Sequence, residues 1–193
     1  MLETERLLLR KFRREDSNDL FEYLSSPEIY RFEPGDPITI EQSRMLCIKR
    51  SRGNNFFAVE TKLQHKVIGH LYFEQIQPSE FMTWELGYIF NPKYQGKGYC
   101  TEASRRIIEY GFHDLHAHRI TAFCDPQNPA SWRVLEKLGL KREGFFKEKA
   151  FFRRDEENKP IWHDCYAYGI LDKDYKEHLT PAPPDAPPAP SRR

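Results

Sequence analysis

The chain has 193 residues, with 30 Lys and Arg against 29 Asp and Glu, giving a formal net charge of +1. A balance this even supplies no bulk field for nucleic acid or an anionic membrane, so any site for a polyanion must be local. No apolar run approaches the ~20 residues of a membrane helix, and the early Glu3 and Glu5 lack the basic-then-apolar pattern of a secretory leader. Cys47, Cys100, Cys124 and Cys165 form no C-x-x-C pair, which argues against a zinc site or a disulfide scaffold and for a reducing cytoplasm.

Leu7 to Phe12 reads as a strand. A helix then begins at Arg13-Arg14-Glu15-Asp16, runs through Leu20, Phe21 and Leu24, and stops at Ser25-Ser26-Pro27. Residues 31 to 39, with Pro34, Gly35 and Pro37, read as a loop. Thr39 and Gln42 have capping-box spacing and open a helix carrying Met45, Leu46 and Ile48. Phe56 to Glu60 and Val67 to Phe73 form a hairpin around Lys62 to His65. Thr83 to Phe90 is an apolar, aromatic strand broken by Asn91-Pro92. Ala103, Ile107, Ile108, Gly111, Phe112 and Leu115 recur at helical spacing. A strand at Arg119 to Cys124, a helix at Pro129 to Leu138 and two closing strands complete the order.

Antiparallel strands with a few helices, rather than a repeating β–α–β series, give an α+β class. One crossover, through the helix around residues 103–115, makes a parallel strand pair. The length suits one domain over residues 1–178, and the Pro- and Ala-rich stretch 179–193 reads as a disordered tail.

Gln95-Gly96-Lys97-Gly98-Tyr99-Cys100-Thr101 lies between the aromatic strand and the crossover helix. Glycine lets backbone approach a ligand closely, and the first-turn N–H groups of a helix lack intrahelical partners. A diphosphate there would collect those N–H groups and the favourable end of the helix dipole. The spacing is not that of a Walker loop, nor of G-x-G-x-x-G, because Thr101 stands where the third glycine belongs. It resembles Q/R-x-x-G-x-G/A, the coenzyme A pyrophosphate turn of the GNAT N-acetyltransferases, read here as Gln95, Gly98 and Cys100, with a compact thiol at the last position.

The resemblance extends over roughly residues 3 to 172. Thr4 to Arg10, Val67-Ile68-Gly69, Glu85-Leu86-Gly87-Tyr88, His118-Arg119-Ile120, Asn128-Pro129-Ala130-Ser131, Leu135 to Gly139 and Trp162-x-Asp164-x-x-x-Tyr168 all match in order. The pattern is similar to the branch containing the ribosomal-protein alanine acetyltransferases RimJ and RimL. It implies a mostly antiparallel sheet in which the parallel strands splay apart to admit the pantetheine arm of acetyl-CoA, with no metal. It also implies that a backbone N–H at Ile89 or Phe90 receives the thioester carbonyl and that the Gln95–Thr101 turn holds the diphosphate; the Asn128 side chain can bond the pantetheine amides, with a plain turn asparagine before Pro129 as the alternative.

Glu85, in an apolar strand, is the first candidate for a base, because burial raises a carboxyl pKa; a structural ion pair is the alternative. Glu148 is a second choice, although Ala150 holds the position that the ribosomal-protein enzymes match. The family's usual tyrosine acid is replaced by Leu135, so the resemblance passes that role to Ser131, whose alternative is a helix-start hydroxyl. The aromatic residues Phe145, Phe146, Phe151, Phe152, Trp162, Tyr166 and Tyr168 are read either as pocket lining or as core.

The expected activity is acetyl transfer from acetyl-CoA to a primary amine, a protein N-terminus or a small molecule, by direct attack and without an acyl-enzyme. The competing expectation is a CoA-binding sensor without turnover. No nucleic-acid or membrane partner is expected, and a homodimer is one option for assembly.

Overall fold

Strand alternation and one amphipathic helix build the centre of the molecule. In the computed structural model, which describes residues 1–179, eight strands form a single sheet. They are β1 (Leu2–Glu3), β2 (Leu7–Arg10), β3 (Phe56–Thr61), β4 (Lys66–Gln75), β5 (Thr83–Phe90), β6 (Arg119–Cys124), β7 (Lys141–Arg154) and β8 (Pro160–Leu171). The spatial order is β1-β2-β3-β4-β5-β6-β8-β7, antiparallel except for β5 with β6. The helices are α1 (Ser17–Leu24), α2 (Ile40–Arg52), α3 (Tyr99–His113), α4 (Pro129–Lys137) and α5 (Asp172–Leu179). This is the expected α+β class. Apart from residue 179, the segment read as a disordered tail lies outside the described residues.

Two apolar clusters hold the layers. On one side, Ile107, Ile108 and Phe112 of α3 pack with Leu71 and Phe73 of β4, Leu86 and Phe90 of β5 and Leu135 of α4. Full burial of such a side chain contributes about 1.5–3 kcal/mol, so the spacing that predicts α3 also seats it. On the other side, Leu20, Tyr23 and Leu24 of α1 and Cys47 of α2 pack with Ala58 and Val67.

The first helix starts later than the sequence suggests. Residues Arg14–Asp16 form a 3-10 turn, and the α-helix begins at Ser17. Asp16 is drawn out of regular helix by other bonds: its carboxylate accepts from the Arg13 N–H at 2.7 Å and from the buried Arg10 guanidinium at 2.8 Å. Glu60 takes the remaining edge of Arg10 at 2.5 Å. The Thr39–Gln42 capping box forms as read, but α2 buries Ser43 and Cys47 and leaves Met45 exposed. Of the closing aromatic residues only Tyr168 is fully buried; Phe145, Phe146, Phe151 and Trp162 stand exposed on the β7–β8 hairpin.

Candidate active site

The strands part where the site begins. β5 and β6 pair only from Thr83↔Arg119 to Glu85↔Thr121. Asn91 N–H bonds Ile68 O at 2.9 Å and Ile76 N–H bonds Thr83 O at 2.9 Å, which fixes the alternation along the β4–β5 ladder. In that register the N–H of Ile89 turns toward β4, while those of Tyr88 and Phe90 turn toward the opening. The Phe90 carbonyl on that side accepts from Gln95 Nε2 at 3.1 Å. Ile89 and Phe90, the two residues expected to meet a thioester carbonyl, both line the cleft, and of their two N–H groups the one of Phe90 faces the opening.

The turn at the start of α3 has the form expected of an anion cradle. Gly96 and Gly98 take φ of 73° and 81°, a region L side chains rarely adopt. Gly98 is the N-cap and brings no side-chain cap. Because the first intrahelical bond runs from Glu102 N–H to Gly98 O at 3.0 Å, the N–H groups of Tyr99, Cys100 and Thr101 precede it. A Cβ at Gly96 would meet nothing within 4 Å, so backbone there is open to a ligand.

Lys97 does not join the cleft wall. Its Nζ bonds Lys93 O at 3.2 Å and lies over the Tyr94 ring. The cation that organises the turn is Arg6, which pairs with Glu102 at 2.6 Å and donates to Lys97 O at 3.1 Å. It offsets the negative charge of Glu102 in the first turn of α3. Arg6 stands in a segment that the sequence marks only as a strand.

The opposite wall comes from α4. Asn128 caps this helix, its Oδ1 accepting the Ser131 N–H at 3.2 Å, which leaves the amide nitrogen of Asn128 for a ligand. Ser131 sits in the first turn, and its Oγ lies 3.1 Å from the Tyr88 hydroxyl, which also donates to Ser131 O at 3.0 Å. Burial holds Tyr88 well above the usual phenol range and pushes the Cys100 thiol up to about 12. Burial likewise pushes Cys124 up to about 12. Tyr88 is the functional candidate that the strand motif quotes without assigning a role.

These walls enclose a cleft of about 690 Å³ lined by Tyr88, Ile89, Phe90, Gln95, Gly96, Gly98, Tyr99, Cys100, Thr101, Asn128 and Ser131, together with Glu28, Ile29, Arg31, Phe32 and Glu33 of the α1–α2 connection. Glu85 is not part of that wall. Its backbone stands opposite Glu74, and burial with the nearby Glu74 charge raises its pKa, as expected of a desolvated carboxyl. Glu148 bends the β7 strand at φ 49° and its N–H bonds Asp164 at 2.8 Å. Among the described residues no group of three or more His, Cys, Asp or Glu is placed to hold a metal ion, and no helix is long and apolar enough to cross a membrane.

A parted parallel strand pair, an open strand edge and a glycine-built helix start are the features expected of a CoA-dependent acyltransferase. Residues 6–141 match the family model of the acetyltransferase (GNAT) domain, and the chain belongs to that family. It is 37% identical over 174 residues to an uncharacterized N-acetyltransferase, YnaD, of Bacillus subtilis (strain 168), covering 89% of this chain and 97% of the relative. The crystal structure of a GNAT-family acetyltransferase from Bacillus anthracis superposes with a TM-score of 0.81 at 36% identity, covering 89% of this chain and 98% of that one. The [ribosomal protein uS5]-alanine N-acetyltransferase of Escherichia coli (strain K12) is 30% identical over 158 residues, covering 76% of this chain and 81% of the relative. GNAT acetyltransferases use acetyl-CoA.

Proposed function

We propose that the protein moves the acetyl group of acetyl-CoA to a primary amine by direct attack in a ternary complex, as a RimJ/RimL-like member of its family in the cytoplasm. The observation that carries the reading is the continuity of one cleft from the unpaired N–H groups at Tyr99–Thr101 to the open edge of β5 and the Tyr88–Ser131 hydroxyl pair. The first holds the diphosphate, the second receives the carbonyl oxygen as it gains charge, and the third returns a proton to the departing sulfur. A single well-placed oxyanion donor is worth about 10²–10³ in rate, and a positioned acid about 10²–10⁴.

The cysteines support direct attack. Cys100 and Cys124 are held as thiols by burial, and neither has a histidine partner among the described residues, so neither is prepared as a nucleophile. The sensor alternative rests on the missing tyrosine at Leu135, which is a buried core residue. Tyr88 and Ser131 supply hydroxyls from other elements, which favours turnover. The uS5-alanine relative supports a protein N-terminus as acceptor; small amines remain the other class. Thioester consumption with a panel of amines and peptides tests the reading. Amine-dependent release of CoA supports it, and binding without turnover supports the sensor.

A further inference from the structure

The cleft also holds a carboxyl with no partner among the described residues. Glu33 lies on the segment between α1 and α2 and lines the cleft beside Phe32 and Glu28. The segment is fixed at both ends: the buried Tyr30 hydroxyl donates to Leu24 O at 2.9 Å, and Ile38 N–H bonds the same carbonyl at 3.0 Å. A Cβ at Gly35 would lie 3.5 Å from the Tyr30 ring. Glu33 is therefore held in place by its neighbours while its own side chain makes none of the hydrogen bonds or ion pairs that desolvated carboxylates ordinarily have. Its charge is felt at the Tyr88 hydroxyl, whereas the charge of Glu85 is felt at Tyr72 and Cys165.

Resting on the acetyl-transfer reading above, we propose that Glu33 is the catalytic base of this cleft, binding the ammonium group of a cationic primary amine and taking its proton. Glu33 in its carboxylate form removes one proton and releases it to solvent. The freed lone pair on nitrogen forms the C–N bond, the C–S bond breaks with its electron pair on sulfur, and the second proton lost by nitrogen balances the one the sulfur takes through the Tyr88–Ser131 hydroxyls. The products are the N-acetyl amine and CoA thiol.

Burial alone raises Glu33 to about 7, which suits a base working at neutral pH. The charged and titratable groups that line the cleft with it are Glu28 and Arg31 on its own segment, Tyr88 of β5, Tyr94 of the turn before α3, Tyr99 and Cys100 of α3, and Arg133 and Lys137 of α4. Burial raises Glu33, Tyr88 and Cys100 alike, and of these three Glu33 is the one brought to about 7.

The test is the pH profile of kcat/KM for an amine that the full-length wild type acetylates, at saturating acetyl-CoA, for the wild type, Glu33→Gln, Glu33→Asp and Glu85→Gln. The wild-type rate should rise with pH up to about 7. Glu33→Gln should lose about a hundredfold together with that limb, Glu33→Asp should recover the limb, and Glu85→Gln should keep it. The acetyl-CoA-induced shift in Tm should be unchanged in every variant, which also reports folding. If Glu33→Gln keeps the wild-type rate and limb, or if Glu85→Gln alone abolishes the limb, the proposal fails while acetyl transfer stands. If the wild type acetylates no amine, the reading beneath it fails as well.

Discussion

The Tyr88 hydroxyl on β5 lies 3.1 Å from the Ser131 hydroxyl on α4, residues 43 apart in sequence that meet across the cleft. Two hydroxyls in one hydrogen-bonded pair act as a unit, and removing either breaks the same proton route. Tyr88→Phe and Ser131→Ala should each lower kcat by about a hundredfold. The double variant should be little worse than either alone. Retention of the acetyl-CoA-induced Tm shift would show that binding survives. Additive losses in the double variant would mean that the two residues act separately.

This pairing marks the boundary of what the sequence conveys. The capping box at Thr39, the hairpin through Lys62 and the helix seeded by Ala103, Ile107 and Ile108 are local patterns, and each forms where its spacing places it. The turn at Gly98 is local too, and its positive φ follows from glycine chemistry. Tyr88 meets Ser131 and Arg6 meets Glu102 only after the sheet is assembled, so no local pattern records either contact. Glu33 lies in a stretch readable only as loop, and its burial arises only in the folded chain. The choice between Ile89 and Phe90 depends on ladder register, which the strand's own composition does not set.

Gly98→Val should abolish the stabilisation conferred by acetyl-CoA. A β-branched residue at φ 81° is strained by about 1–3 kcal/mol, and its Cβ would come within 3.4 Å of the Arg6 guanidinium. The variant should melt earlier without ligand and show no ligand-induced Tm shift in a thermal-denaturation assay. A full shift would place the diphosphate elsewhere.

Glu33 should cost stability at the pH where it works. Its pKa is raised by burial from 4.5 to about 7 in the folded state. Below pH 4.5 the carboxyl is neutral in both states and carries no penalty. As pH rises through about 7 the unfolded chain is already ionised and the folded one must ionise against its burial, so that stability is lost. Glu33→Gln should therefore be more stable than wild type at pH 8, by on the order of 1–3 kcal/mol, with the gain vanishing near pH 4. Urea unfolding at the two pH values measures this, and a gain independent of pH would assign it to packing.

Arg10 joins Asp16 and Glu60, all three buried. Arg10→Leu leaves two carboxylates without their cation, which should cost about 3–5 kcal/mol, read as a lower urea midpoint at pH 7. A loss below 1 kcal/mol would mean that solvent reaches the carboxylates once the guanidinium is gone.

The most direct test of acetyl transfer is quenched-flow mass spectrometry of the full-length protein mixed with acetyl-CoA, first alone and then with an amine panel. Direct attack predicts no acetylated protein without amine, and with a productive amine one N-acetyl product for each CoA thiol released. Acetylation of Cys100 or Cys124 preceding product would contradict it, as would intact acetyl-CoA across the whole panel.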